Sequence, residues 1–156
     1  MPHKILFVCT GNICRSPTAE GVARGLAVEQ GVAPLFEFDS AGTHGYHVGQ
    51  PPDPRSIAAA LRRGYDLASL RARRVTEFDF IRFDRVLAMG PDHLESLQRA
   101  CPRQHRNKLG LLLDFSERFE LSEVPDPYYG GAEGFEHVLD LVEDAASQLI
   151  RQLTAR

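Results

Sequence analysis

The chain is poor in cysteine and carries an odd number of them: Cys9, Cys14 and Cys101 among 156 residues. That count excludes a disulfide framework and leaves thiols whose reactivity is the open question. No apolar run approaches the ~20 residues needed to cross a bilayer, so no membrane partner is expected. The segment from Met1 to Cys9 enters a strand-like run at once. It lacks the charged, apolar and small-residue succession of a signal peptide, which makes the cytoplasm the expected compartment. An excess of positive charge is missing too. Lys and Arg number 18 against 21 Asp and Glu, a net charge of -3, so a nucleic-acid partner is not expected. The six histidines, His3, His44, His47, His93, His105 and His137, show no pair with strong metal-ligand spacing and are expected at the surface. Repeats, low-complexity tracts and linkers are absent as well. What remains is an ordinary globular composition, 43% hydrophobic and 25% charged, which predicts one soluble domain over residues 1–156.

What is there alternates in period. Lys4 to Cys9 is a short apolar run suited to a strand buried on both faces. After a polar loop, Ser16 and Pro17 open a helix that runs to about Gln30, with Gly31 as its stop. Phe36 to Ser40 is a second strand, and Ala41 to Pro54 reads as a loop rich in Gly, Pro and His. Helical patterns follow over Arg55–Arg63 and Thr76–Phe83, then a strand over Arg85–Met89, a helix over Pro91–Ala100 and a strand over Lys108–Leu113. The last helix runs from about Phe135 to Leu153, with Val138, Leu139, Val142, Ala145, Ala146, Leu149 and Leu153 on one face. Strands alternating with helices predict an α/β fold: a four-stranded parallel sheet with helices on both faces. In such folds ligands bind beyond the carboxyl ends of the strands. The loop after Cys9 is one of those places.

That loop carries the chemistry. Cys9-Thr10-Gly11-Asn12-Ile13-Cys14-Arg15-Ser16 joins a predicted strand to a predicted helix. Backbone N–H groups there, together with the free N–H groups of the helix start, form an anion cradle. Gly11 and Asn12 are residue types that tolerate the backbone angles a tight cradle needs. Arg15 offers a planar fork for two phosphate oxygens. The same positive field favours the thiolate of Cys9, so one site both activates a nucleophile and binds the phosphate dianion it attacks. Ser16 is placed to donate a hydrogen bond to that sulfur. A buried strand cysteine followed by a polar loop would account for Cys9 alone, but not for its strand-before, helix-after setting with Arg15 and Ser16 in place.

These residues resemble the low-molecular-weight protein tyrosine phosphatase family. The likeness continues in Asp39-Ser40-Ala41-Gly42-Thr43, Gly45-Tyr46, Pro51-Pro52-Asp53, Val75-Thr76 and Asp126-Pro127-Tyr128-Tyr129-Gly130, in the family's order and over essentially the whole chain. The resemblance implies that Asp126 protonates the leaving phenolic oxygen and later activates water. Its place between two prolines restricts the backbone that would aim it. It also implies that Tyr128 and Tyr129 line the mouth of the cleft with Tyr46 opposite, that Asn12 meets Ser40 in support of the loop, and that Cys14 forms a reversible disulfide with Cys9 under oxidation. Cys101 has no partner motif and is expected to be inert. Two departures stand out. Leu70 falls where the family carries a histidine in the loop's supporting network, which predicts a less rigid loop or an altered Cys9. Gly90, in Met89-Gly90-Pro91-Asp92, falls where relatives often carry Asp. Arg62, Arg63, Arg71, Arg73 and Arg74 read as a solvated basic region.

The expected activity is therefore hydrolysis of phosphotyrosine, or of small aryl phosphates, through a phosphocysteine. The expected partner is a phosphotyrosine-containing protein or small aryl phosphate, met by a monomer or weak dimer. No metal or other cofactor is called for, because Arg15 and the loop amides supply the positive field. Two rivals share the loop. A thiol-dependent arsenate reductase would need further cysteines to relay electrons, and Cys101 alone is an unpromising relay. A non-catalytic phosphate-binding module would bind phosphotyrosine without turnover, and the full set Cys9, Arg15 and Asp126 speaks against it.

Overall fold

The computed structural model describes residues 2–155. Strand β1 (His3–Cys9) leads into helix α1 (Arg15–Glu29), then β2 (Phe36–Gly42), α2 (Pro54–Arg62), α3 (Glu77–Arg82), β3 (Arg85–Ala88), α4 (Pro91–Ala100), β4 (Leu109–Leu111) and α5 (Ala132–Thr154). The four strands form one sheet in the order β2-β1-β3-β4, and every pairing is parallel. The chain thus moves from β1 outward to β2, then crosses back over to β3 on the other side. That reversal of direction puts a crevice at the carboxyl end of β1, where such folds hold ligands.

The continuous apolar run of β1 is explained by its central position. Alternate side chains point to opposite faces. Ile5, Phe7 and Cys9 enter a core with α1, α2 and α5, through Val22, Ala23, Ala59, Ala60, Leu141, Val142 and Leu149. Leu6 and Val8 enter a second core with Phe80 of α3, Phe83, and Leu97 of α4. Helices therefore cover both faces. Each fully buried Leu or Phe contributes roughly 1.5–3 kcal/mol of transfer free energy, which is why β1, with both faces covered, anchors the site that follows it.

β2 runs two residues past the expected Ser40, to Gly42, and the larger boundary differences fall in the last two elements. The fourth strand is Leu109–Leu111 only, because Leu112–Phe115 turns into a 3-10 segment that drives Leu112 and Leu113 into the core. The last helix begins at Ala132, three residues before Phe135. Among the described residues no helix is long and apolar enough to cross a membrane.

Candidate active site

Between the end of β1 and the start of α1 the loop turns its carbonyls outward. Cys9 O accepts from Thr43 N at 2.9 Å, Thr10 O from His44 N at 3.0 Å, Ile13 O from Asp53 N at 2.8 Å, and Cys14 O from Thr18 Oγ1 at 2.6 Å. With the carbonyls held that way, the amides face the other side. Among the described residues, the N–H groups of residues 11–15 have no acceptor in the protein. A ring of such amides facing a cleft is an anion cradle. The left-handed backbone falls on Asn12 (φ 59°) and not on Gly11. A glycine is required next door: a Cβ at Gly42 would stand 2.7 Å from Thr10 O.

Asn12 can take that conformation because its side chain is fully engaged. Its Nδ2 donates to Ser16 Oγ at 2.8 Å and to Ser40 Oγ at 3.0 Å, and its Oδ1 accepts from Arg73 N at 3.0 Å. Ser40 Oγ in turn donates to Glu20 Oε1 at 2.7 Å. Glu20 is buried, and burial raises its pKa, while the bond from Ser40 and the ion pair with Arg24 (2.7 Å) oppose that rise. Because Ser16 Oγ already accepts from Asn12, its hydrogen is available to Cys9 Sγ, 2.9 Å away, which is nearer than its other acceptor, Ala41 O at 3.4 Å. Ser16 N donates to the same sulfur at 3.4 Å. Cys9 is buried at the floor of the loop with two donors on its sulfur.

Arg15 is buried beside it, with its guanidinium steered by three oxygens. Nη1 donates to Val124 O at 3.2 Å, Nη2 donates to Thr10 Oγ1 at 3.4 Å, and Asp126 Oδ2 lies 3.7 Å from Nη2. Val124 N donates to Met89 O at 2.7 Å, so the stretch before Asp126 is fastened to the end of β3. Asp126 is close to half exposed, and its Oδ1 accepts from Tyr128 N at 3.0 Å, which turns the carboxylate back towards the loop. Arg55 holds the other side of this segment. It pairs with Asp53 Oδ2 at 2.9 Å, donates to Tyr128 O at 3.0 Å and lies over the rings of Tyr128 and Phe135, 5.5 and 4.7 Å from their centres. Arg55's hydrogen bonds to the Asp53 side chain are the main reason that carboxyl ionises below its usual range. Since Asp53 N also donates to Ile13 O, Arg55 bridges the cradle and the Asp126 segment.

The result is a cleft of about 230 Å³ lined by Cys9, Thr10, Gly11, Ile13, Cys14, Arg15, Tyr46, His47, Asp126, Tyr128 and Tyr129. Tyr128 and Tyr129 meet edge to face at 5.0 Å on one wall; Tyr46, stacked on His44 at 5.0 Å, forms the other with His47. Asn12, Ser16 and Ser40 lie behind the floor. Cys14 is buried, and desolvation pushes its thiol up to about 12. Cys101 is buried at the end of α4, away from the cleft, and its thiol is also pushed up by burial. Among the described residues no group of three or more His, Cys, Asp or Glu is arranged to hold a metal ion.

Several sequence expectations are corrected. His93 is not at the surface: it is 5% exposed, on the first turn of α4, with Nε2 2.8 Å from Thr10 Oγ1. Arg62, Arg63 and Arg73 are not a free basic face. Arg62 pairs with Glu136, Arg63 pairs with Glu136, Asp140 and Glu143, all on α5, and Arg73 pairs with Asp39 and Asp79. Leu70 packs against the larger core, and the oxygen of Asn12 is satisfied by the Arg73 amide, so the loop's support closes without a side chain from position 70. At Gly90 the space is filled by Glu123, whose Cγ lies 2.9 Å from where a Cβ would stand. Glu20, Arg55, His93 and the Arg73 amide join the site from outside its sequence motifs; Arg55, two residues beyond Pro51-Pro52-Asp53, is the nearest to one.

Comparison with known proteins gives a consistent result. The family model described as low molecular weight phosphotyrosine protein phosphatase matches residues 4–156. The chain is 45% identical, over 96% of each chain, to a putative low molecular weight protein-tyrosine-phosphatase of Synechocystis sp.. It is 40% identical to the low molecular weight phosphotyrosine protein phosphatase of Homo sapiens, over 86% of this chain and 85% of the human one. Among solved structures, it is similar to a protein tyrosine phosphatase from Entamoeba histolytica with Hepes in the active site, with a TM-score of 0.94, 43% identity and coverage of 97% and 96%.

Proposed function

The chain belongs to the low molecular weight phosphotyrosine protein phosphatase family, and we propose that it hydrolyses phosphotyrosine and small aryl phosphates with Cys9, Arg15 and Asp126 as its reacting residues. The observation that carries this reading is the convergence of the Cys9 sulfur, an unpaired ring of amides, the Arg15 fork and the Asp126 carboxylate on one cleft.

The reaction has two steps. The sulfur of Cys9 attacks phosphorus, and the S–P bond forms as the bond from phosphorus to the phenolic oxygen breaks. Asp126 gives its proton to that oxygen. Arg15 and the N–H groups of residues 11–15 hold the three equatorial oxygens, where charge is spread in the transition state. Water then attacks phosphorus, Asp126 takes its proton, and the sulfur leaves as a thiolate received by the Ser16 donors. Thr10, Gly11, Ile13 and Cys14 contribute the cradle backbone, and Asn12 and Ser40 keep its shape. The aromatic walls, Tyr46 with Tyr128 and Tyr129, suit a flat ring and set a depth that a phosphoserine side chain is too short to span.

Cys14 has a second role in this reading. Peroxide oxidises the Cys9 thiolate to a sulfenic acid; the Cys14 sulfur displaces water from it, and a disulfide forms. Its high pKa and burial make Cys14 the slower thiol, so oxidation starts at Cys9. After peroxide and reductant, Cys14→Ser should recover less activity than wild type; equal recovery would remove the role.

The arsenate-reductase alternative is disfavoured by the position of Cys101, buried at the end of α4 with its Sγ bonded to Pro102 O at 3.4 Å. Turnover of phosphotyrosine and phosphoserine peptides, beside thiol-coupled arsenate reduction, tests the substrate class. Preference for the phosphotyrosine peptide is expected; faster arsenate reduction or equal use of both peptides would contradict it.

A further inference from the structure

His93 is a buried titratable side chain against the cradle that the reaction above does not use. Its Nε2 lies 2.8 Å from Thr10 Oγ1, and its Nδ1 is buried with no hydrogen-bond partner among the described residues. The same Thr10 oxygen receives Arg15 Nη2 at 3.4 Å, and Thr10 lines the cleft.

A neutral imidazole has one N–H, and its location follows from what would otherwise be left unmade. On Nδ1 it would be a buried donor without an acceptor, the rarer and costlier defect. On Nε2 it is used, and Nδ1 is left only as a bare acceptor. With the hydrogen on Nε2, His93 and Arg15 both donate to Thr10 Oγ1 and occupy both of its lone pairs. The hydroxyl's own hydrogen is then free of protein acceptors.

We propose that His93 is a positioning residue: by donating from Nε2 to Thr10 Oγ1 it turns the Thr10 hydroxyl hydrogen into the cleft, where it donates to an oxygen of the bound phosphoryl group. Thr10 thereby becomes a side-chain donor to substrate, in addition to lending its backbone. This rests on the assignment of the cradle as the phosphate site. Neutrality of the ring is part of the design. Burial first, then the Arg15 cation, with His44 assisting, push the His93 pKa down to about 4 against the opposing carboxylates of Asp92 and Asp126. At neutral pH no second cation competes with Arg15 for its neighbours.

The test combines kinetics and spectroscopy. Thr10→Val and His93→Phe should each lower kcat/KM for p-nitrophenyl phosphate, and weaken inhibition by inorganic phosphate, on the order of tenfold, the loss of one hydrogen bond to a charged group. The double variant should be no worse than Thr10→Val alone, since His93 acts through Thr10. His93→Gln, whose amide N–H can still reach Thr10, should recover most of the loss. Nitrogen-15 NMR of the wild-type protein should show the His93 ring neutral at pH 7 with its hydrogen on Nε2. Independent, multiplying losses in the double variant, unchanged kinetics in His93→Phe, or a hydrogen on Nδ1 would overturn the proposal. Should His93→Phe fail to fold, the tautomer still decides. Failure of wild type itself to turn over aryl phosphate would count against the cradle assignment instead.

Discussion

Asn12 Nδ2 lies 2.8 Å from Ser16 Oγ, and that oxygen lies 2.9 Å from Cys9 Sγ. An oxygen that accepts from Asn12 keeps its own hydrogen to give, and the sulfur is the nearer of its two acceptors, Ala41 O lying 3.4 Å away. The sulfur needs that donor most when it departs from phosphorus.

Ser16→Ala should accordingly slow hydrolysis of the phosphocysteine more than its formation. Steady-state kcat should fall by about tenfold or more, while the initial burst of phenol release changes less. Rapid-mixing kinetics with p-nitrophenyl phosphate measures both. Equal falls in burst rate and steady-state rate would refute the leaving-group role.

Asn12→Ala removes three hydrogen bonds and places alanine at a positive φ. It should cost about 1–3 kcal/mol of stability from the buried groups left unpaired, with added backbone strain. Urea unfolding checks this. A variant as stable as wild type would show that the Asn12 network does not hold the loop.

Asp126→Asn should depend on the leaving group. Substrates with poor, basic leaving groups lose most, because they need the proton as the bond breaks; substrates with highly acidic phenols lose least. Arg55→Ala should show a weaker form of the same dependence, since it frees the Tyr128 carbonyl and ring without touching the carboxylate. A series of aryl phosphates of graded leaving-group pKa reads both. A uniform loss across the series would separate Asp126 from proton transfer.

His93 gives a pH dependence of stability. Its folded-state pKa, about 4, lies below the ordinary 6.5, so the unfolded chain binds that proton more tightly. Its contribution is fully present above pH 6.5 and is lost as the pH falls through 4. Wild type should lose more stability over that window than His93→Gln, by urea midpoints at each pH. Parallel curves would show that the ring is not held neutral.

The parts legible in sequence are those written in consecutive residues. Cys9 to Ser16 carry nucleophile, cradle and fork within one loop, and the apolar run of β1 announces a central strand. Residues that act across the fold were less visible. His93 reads as a surface residue because a lone histidine without ligand spacing is usually solvated, and its contact with Thr10, 83 residues away, is not written in the sequence. Leu70 reads as a loss in the sequence, while the Asn12 oxygen is met by a main-chain amide at Arg73, which any residue could supply and no motif records. Arg62 and Arg63 look like part of a basic patch in the sequence because their carboxylate partners on α5 lie more than 70 residues away. Leu112 and Leu113 extend the expected fourth strand because they are apolar for a 3-10 turn as they would be for a strand.

The most direct test of the central claim is to acid-quench the protein during turnover of a phosphotyrosine peptide and map the bound phosphate. The phosphate should be found on the Cys9 sulfur, should accumulate in Ser16→Ala, and should be absent in Cys9→Ser, which should not turn over. Phosphate on another residue, or steady turnover by Cys9→Ser, would contradict the account.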